Sequence, residues 1–106
     1  MDQLEELVEQ EKAKIVAETA KVAWQEVEVF YAQGKLILVC SSLDLVEVAY
    51  QLSLDNTNKT RQWIEAGKLV RDFSEQAKIF SANNSDLWCV VIKPWVLVQS
   101  FDTSVS

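Results

Sequence analysis

Residues 87–99 read Leu-Trp-Cys-Val-Val-Ile-Lys-Pro-Trp-Val-Leu-Val-Gln, and no other stretch of the chain restricts the fold as strongly. The composition is that of a strand from residue 87 to residue 100, rich in β-branched and aromatic side chains. Pro94 cannot donate to a β-ladder, so the segment must meet an edge, a bulge or a bend there. Trp88, Val90, Ile92, Trp95, Val96, Leu97 and Val98 all need cover, because an open edge this apolar pairs with other chains. Two arrangements supply it: helices over both faces of a sheet, or a second subunit across the strand. The strand is therefore the expected dimer interface, through Pro94, Trp95, Val96 and Val98. Trp24 is a further aromatic anchor toward a partner.

The rest of the chain reads mainly as helix. Leu4, Leu7, Val8, Ile15, Val16, Thr19, Val22 and Ala23 recur at near-helical spacing, which predicts one long helix over residues 3–22. A polar gap from Glu9 to Lys14 divides it into an acidic extension (1–14) and the start of the core (15–100), with a short tail at 101–106. A second helix is expected over 24–33, closed by Gly34, and a buried strand over 35–40. Ser41-x-x-Asp44 has the form of a capping box for a third helix ending near Leu52. A fourth helix is expected over 58–66 before Gly67, then a short strand over 68–71 and a fifth helix from a Ser74 cap to Ala82. Five helices and a sheet of three strands, or four, make an α+β fold in a single domain. An α/β arrangement with parallel strand pairing is the alternative.

The 106 residues include no histidine and two cysteines, Cys40 and Cys89, both in apolar surroundings. Without histidine there is no Ser-His, Cys-His or His-metal device, and two cysteines 49 positions apart make no zinc site. The start of the chain lacks a basic segment followed by an apolar run, and no stretch approaches the ~20 apolar residues of a membrane helix. A soluble, cytoplasmic protein with buried, inert thiols is expected. The net charge is −6, but Asp2, Glu5, Glu6, Glu9 and Glu11 carry most of it, and the remainder is nearly balanced.

Acid–base chemistry would fall to carboxylates. Asp44 and Glu47 lie three apart on one expected helix and could form a carboxylate pair or bind Mg²⁺, joined by Glu18 only if the first helix packs against theirs. A helix-terminus role for Asp44 and a solvated position for Glu47 account for them more simply. Lys59, Arg61, Lys68, Arg71 and Lys78 outnumber Glu65, Asp72 and Glu75 over residues 59–78, with Trp63 and Phe73 interleaved. This is the one stretch a nucleic-acid reading could use, and its charge is thin.

Residues 87–99 resemble the closing signature of a family of small bacterial proteins filed as domain of unknown function 2288. Glu18-Thr19-Ala20 with Trp24, residues 43–49, and Trp63 with Gly67 fit the same pattern. The resemblance covers residues 15–99 and brings no established activity. It implies Glu18, Asp44 and Gln99 as polar signature positions, hence as the candidate site. The expected function is a small interaction or accessory module that self-associates through the C-terminal strand, with a homodimer or another protein as partner. No catalytic residue, cofactor or metal is expected. The rival is a ligand-binding, metal-binding or enzymatic domain using Glu18 and Asp44.

Overall fold

The computed structural model describes residues 3–100; the tail at 101–106 and Asp2 lie outside the described residues. Along the chain run α1 (Gln3–Glu18), β1 (Ala20–Ala23), α2 (Trp24–Ala32), β2 (Leu36–Val39) and α3 (Leu45–Ser53). Then follow α4 (Thr57–Glu65), β3 (Leu69–Val70), α5 (Ser74–Asn83), β4 (Asp86–Ile92) and β5 (Trp95–Ser100).

The apolar C-terminal run folds back on itself. Lys93 and Pro94, joined by a cis peptide bond, turn the chain so that β4 and β5 pair antiparallel, with Cys89 opposite Val98 and Val90 opposite Leu97. The missing N–H of proline thus falls between ladders rather than within one. The five strands take the order β1-β4-β5-β2-β3. Only the β2–β5 pairing is parallel, Leu36 lying opposite Val96; the others are antiparallel. The class is α+β with five helices, and the sheet has five strands where three or four were expected.

Helices cover both faces. Because successive side chains of a strand point to opposite faces, Ile37, Val39, Leu69, Val90 and Leu97 gather on one side. There they pack with Ile15 of α1, with Leu45, Val48 and Ala49 of α3, and with Trp63 of α4. Leu36, Leu87, Cys89, Val96 and Val98 gather on the other. Trp24 and Val27 of α2, with Phe73, Ala77 and Phe80 at α5, cover them. Trp24, Tyr31, Phe73 and Phe80 form an aromatic cluster there, with the Tyr31 and Phe73 rings 4.7 Å apart.

One sequence expectation fails in its second half. The long first helix stops at Glu18, where the Thr19 hydroxyl donates to the Ile15 carbonyl (2.7 Å). Ala20–Ala23 is a strand, with Ala20 opposite Cys89 and Val22 opposite Leu87. The outer edge of β4 is apolar and needs a partner, and that tertiary demand outweighs a helical spacing carried by two residues. Capping also differs at two helices. Asp44 is itself the N-cap of α3, its Oδ1 accepting from the Val46 N–H (3.0 Å), rather than the third residue of a helix capped by Ser41. Ser74 is the first residue of α5 and Phe73 precedes it without a side-chain cap. Gly34 and Gly67 close α2 and α4 at φ +75° and +74°, a left-handed conformation that glycine adopts at little cost.

Candidate functional site

Gln99 is the buried polar residue of the described core, 8% exposed. Its Nε2 donates to the carbonyls of Cys40 (3.0 Å) and Leu43 (2.8 Å). Those carbonyls belong to the loop between β2 and α3, so the amide fixes the approach to the α3 N-terminus. Asp44 then caps that terminus. Both residues line one pocket of about 320 Å³ together with Val16, Thr19, Leu43 and Trp88.

Glu18 does not join them. Successive helical residues point about 100° apart, and where Thr19 faces the Asp44–Gln99 pocket, Glu18 faces a groove of about 420 Å³ on the other side of α1. Two of the three signature positions therefore meet and the third looks elsewhere. Asp44 and Gln99 are both engaged with backbone groups, which makes their first role structural.

The Asp44–Glu47 pair dissolves too. Glu47 receives Lys12 Nζ at 2.6 Å and the Gln51 amide at 2.7 Å. The Lys12 ammonium and then Gln51 hold its carboxyl below its ordinary pKa. The same hydrogen bond raises that of Lys12. Gln51 in turn accepts from Asn56 (2.8 Å), the N-cap of α4, so the network ties α1, α3 and α4 together. Among the described residues no three His, Cys, Asp or Glu side chains are placed to hold a metal ion.

Of the proposed interface residues, Val96 (5%), Val98 (0%) and Trp24 (2%) are buried in the chain's own core. β5 has a hydrogen-bonded neighbour on each side. The cover required by the apolar run comes from β2, β4 and the helices of the same chain, the first of the two arrangements that the sequence allowed. Pro94 is exposed at the hairpin turn. Trp95 is half-buried, with the Arg71 guanidinium 4.9 Å from its ring. Arg71 also donates to the Gly34 carbonyl (2.9 Å), a structural use of one charge in the 59–78 stretch. The remaining charges are divided, since α4 and α5 lie on opposite faces of the sheet.

The cysteines are unbridged and unlike. Burial raises the pKa of Cys89. Cys40 is only half-buried, its Sγ 3.2 Å from the Ser42 hydroxyl. That hydroxyl, then the Ser42 backbone, lowers its pKa. The apolar flanks of Cys40 hid this, because the strand ends one residue before it.

The groove holding Glu18 carries a feature that the sequence left undeveloped, the apolar positions of the first half of α1. Residues 3–11 are exposed apart from half-buried Val8, and Leu4 (68%) and Leu7 (56%) project beside Leu54 (55%) of the loop after α3. The stripe continues the helical face that buries Ile15. Its signal was present in the i, i+3, i+4 spacing, but a stripe does not say what lies opposite it.

Residues 10–100 match the sequence pattern of a family described as "Protein of unknown function (DUF2288)". The chain belongs to the DUF2288 family. It is similar to the NMR solution structure of PA1075 from Pseudomonas aeruginosa, with 37% identity and a TM-score of 0.78. The likeness covers 92% of this chain and 90% of that one. No curated protein matches it. In this DUF2288 chain the pocket of Thr19, Asp44, Trp88 and Gln99 lies wholly inside the matched region, whereas Leu4 and Leu7 lie before it. No helix of the described residues is long and apolar enough to cross a membrane.

Proposed function

We propose that this protein is a cytoplasmic docking module of a bacterial cell, without catalytic function of its own, that takes an amphipathic helix of another protein along the free half of α1. The observation that carries this reading is the exposure of Leu4 and Leu7 on the stripe that buries Ile15 about two to three turns further on. A helix face left apolar beyond the body of the protein is a groove wall in want of a ligand helix. Tyr50, Leu54 and Ile92 form the facing wall.

Charge selects the occupant. Glu5, Glu6, Glu9 and Glu11 accompany the stripe, and no base occurs before Lys12. A second copy would bring the same acidic half and meet repulsion; a helix with Lys or Arg beside its apolar face is complementary. Self-association, the earlier expectation, thus gives way to a basic partner helix. The unbridged thiols suit a reducing compartment.

Fluorescence anisotropy with two synthetic amphipathic helices of equal apolar face, one flanked by Lys and one by Glu, tests this. The Lys helix binds and is weakened by salt, while the Glu helix does not bind. Equal binding of both, or of neither, would remove the reading.

A further inference from the structure

We infer that the pocket between α1, the α3 N-terminus and β4 is a binding site for a small organic cation, an ammonium or guanidinium group carried on an apolar body. The inference is independent of the docking groove, which opens on a different face of α1.

The Thr19 hydroxyl and the Gln99 amide that line the pocket have spent their donors. The Thr19 hydroxyl donates to the Ile15 carbonyl. Both hydrogens of the Gln99 amide go to the Cys40 and Leu43 carbonyls. Asp44 takes the Val46 N–H with Oδ1. The oxygens of Thr19, Gln99 and Asp44 retain accepting capacity, and no Lys or Arg lines the cavity. Its one formal charge is the Asp44 carboxylate. The remaining wall is apolar, with Val16 57% and Trp88 38% exposed. A volume of about 320 Å³ sits at the lower end of the roughly 300–1,000 Å³ of small-molecule sites.

Oxygen acceptors on Thr19 and Gln99, a carboxylate as the one formal charge and a largely apolar wall together describe a site for a cation that brings its own N–H donors. The α3 N-terminus nearby does not reverse this preference. Its positive end is already faced by the Asp44 side chain, which an incoming anion would meet first.

The test uses hexylammonium, 1-hexanol and hexanoate as probes, followed by chemical-shift changes at the Trp88 indole and the Val16 and Val46 methyl groups. Hexylammonium is expected to bind at least about tenfold more tightly than hexanol, with hexanoate the weakest and the shifts confined to those residues. Asp44→Asn keeps the cap, since Asn serves there as well as Asp, and is expected to bring hexylammonium down to the hexanol level. Leu7→Glu, in the other groove, leaves all three affinities unchanged. The assignment is overturned if hexanoate binds as well as hexylammonium, if Asp44→Asn leaves the preference intact, if the shifts map elsewhere, or if no probe binds at millimolar concentration.

Discussion

The Gln99 side chain donates to the Leu43 carbonyl at 2.8 Å across 56 positions of sequence. With the second bond to Cys40, one buried amide joins the end of β5 to the loop that starts α3. Replacing it by an apolar residue of similar length leaves both carbonyls without that partner. Gln99→Leu should therefore lower unfolding free energy by ~1–3 kcal/mol in urea titration. Its effect on hydrogen exchange should be largest at residues 40–46.

Leu97 is fully buried in a strand with neighbours on both sides. Leu97→Ala should cost ~2–5 kcal/mol, measured as a lower denaturation midpoint at an unchanged slope. A protein that self-associated through β5 would instead show concentration-dependent stability; static light scattering at tens of micromolar should return the mass of one chain.

The Lys12–Glu47 contact predicts a pH dependence. The folded pKa of Glu47 lies below its unfolded value, so its contribution is present above the ordinary carboxylate range, about pH 4.3. It is lost as pH falls through the depressed folded value. Lys12 is shifted upward, so its contribution is present below about pH 10.4 and is lost as pH rises through the folded value. Glu47→Gln and Lys12→Met should each flatten both limbs of a stability–pH curve, by lowering stability between the limbs rather than beyond them.

Cys40 and Cys89 should separate kinetically. Iodoacetamide should modify Cys40 in the native protein and reach Cys89 only as fast as the core opens. Ser42→Ala, which removes the hydroxyl at 3.2 Å, should slow the Cys40 reaction near neutral pH. Mass spectrometry of tryptic peptides resolves the two sites.

Local chemistry was legible where one residue type decides the backbone. Gly34 and Gly67 marked the ends of α2 and α4, and the run from Leu36 to Val39 announced β2. β1 was not legible: Ala20–Ala23 has four residues, and Val22 with Ala23 fits helical and strand periods alike. The pairing that decides it, Val22 opposite Leu87, is 65 positions away. The terminal run showed that burial was required but not by whom, and Lys93-Pro94 lacks the Asn-Gly or Asp-Gly signature of a tight hairpin. At the candidate site, sequence placed Asp44 at a helix start and named Gln99, but the partners of Gln99 are main-chain carbonyls, which leave no trace in side-chain identity. Glu18 was grouped with them as a polar signature position implied by the family resemblance, whereas helix geometry sends it and Thr19 to different cavities.

The docking claim rests on the apolar stripe of α1, and the most direct measurement is the affinity of the Lys-flanked amphipathic helix for the wild-type chain and for Leu7→Glu. Leu7 is 56% exposed, so the substitution should leave the urea midpoint within the ±0.5 kcal/mol expected of surface changes. The account predicts saturable binding to the wild type, with shifts at Leu4, Leu7, Tyr50 and Leu54, and a loss of at least about tenfold in Leu7→Glu. Equal affinity of the two proteins, or shifts centred away from α1, would contradict it.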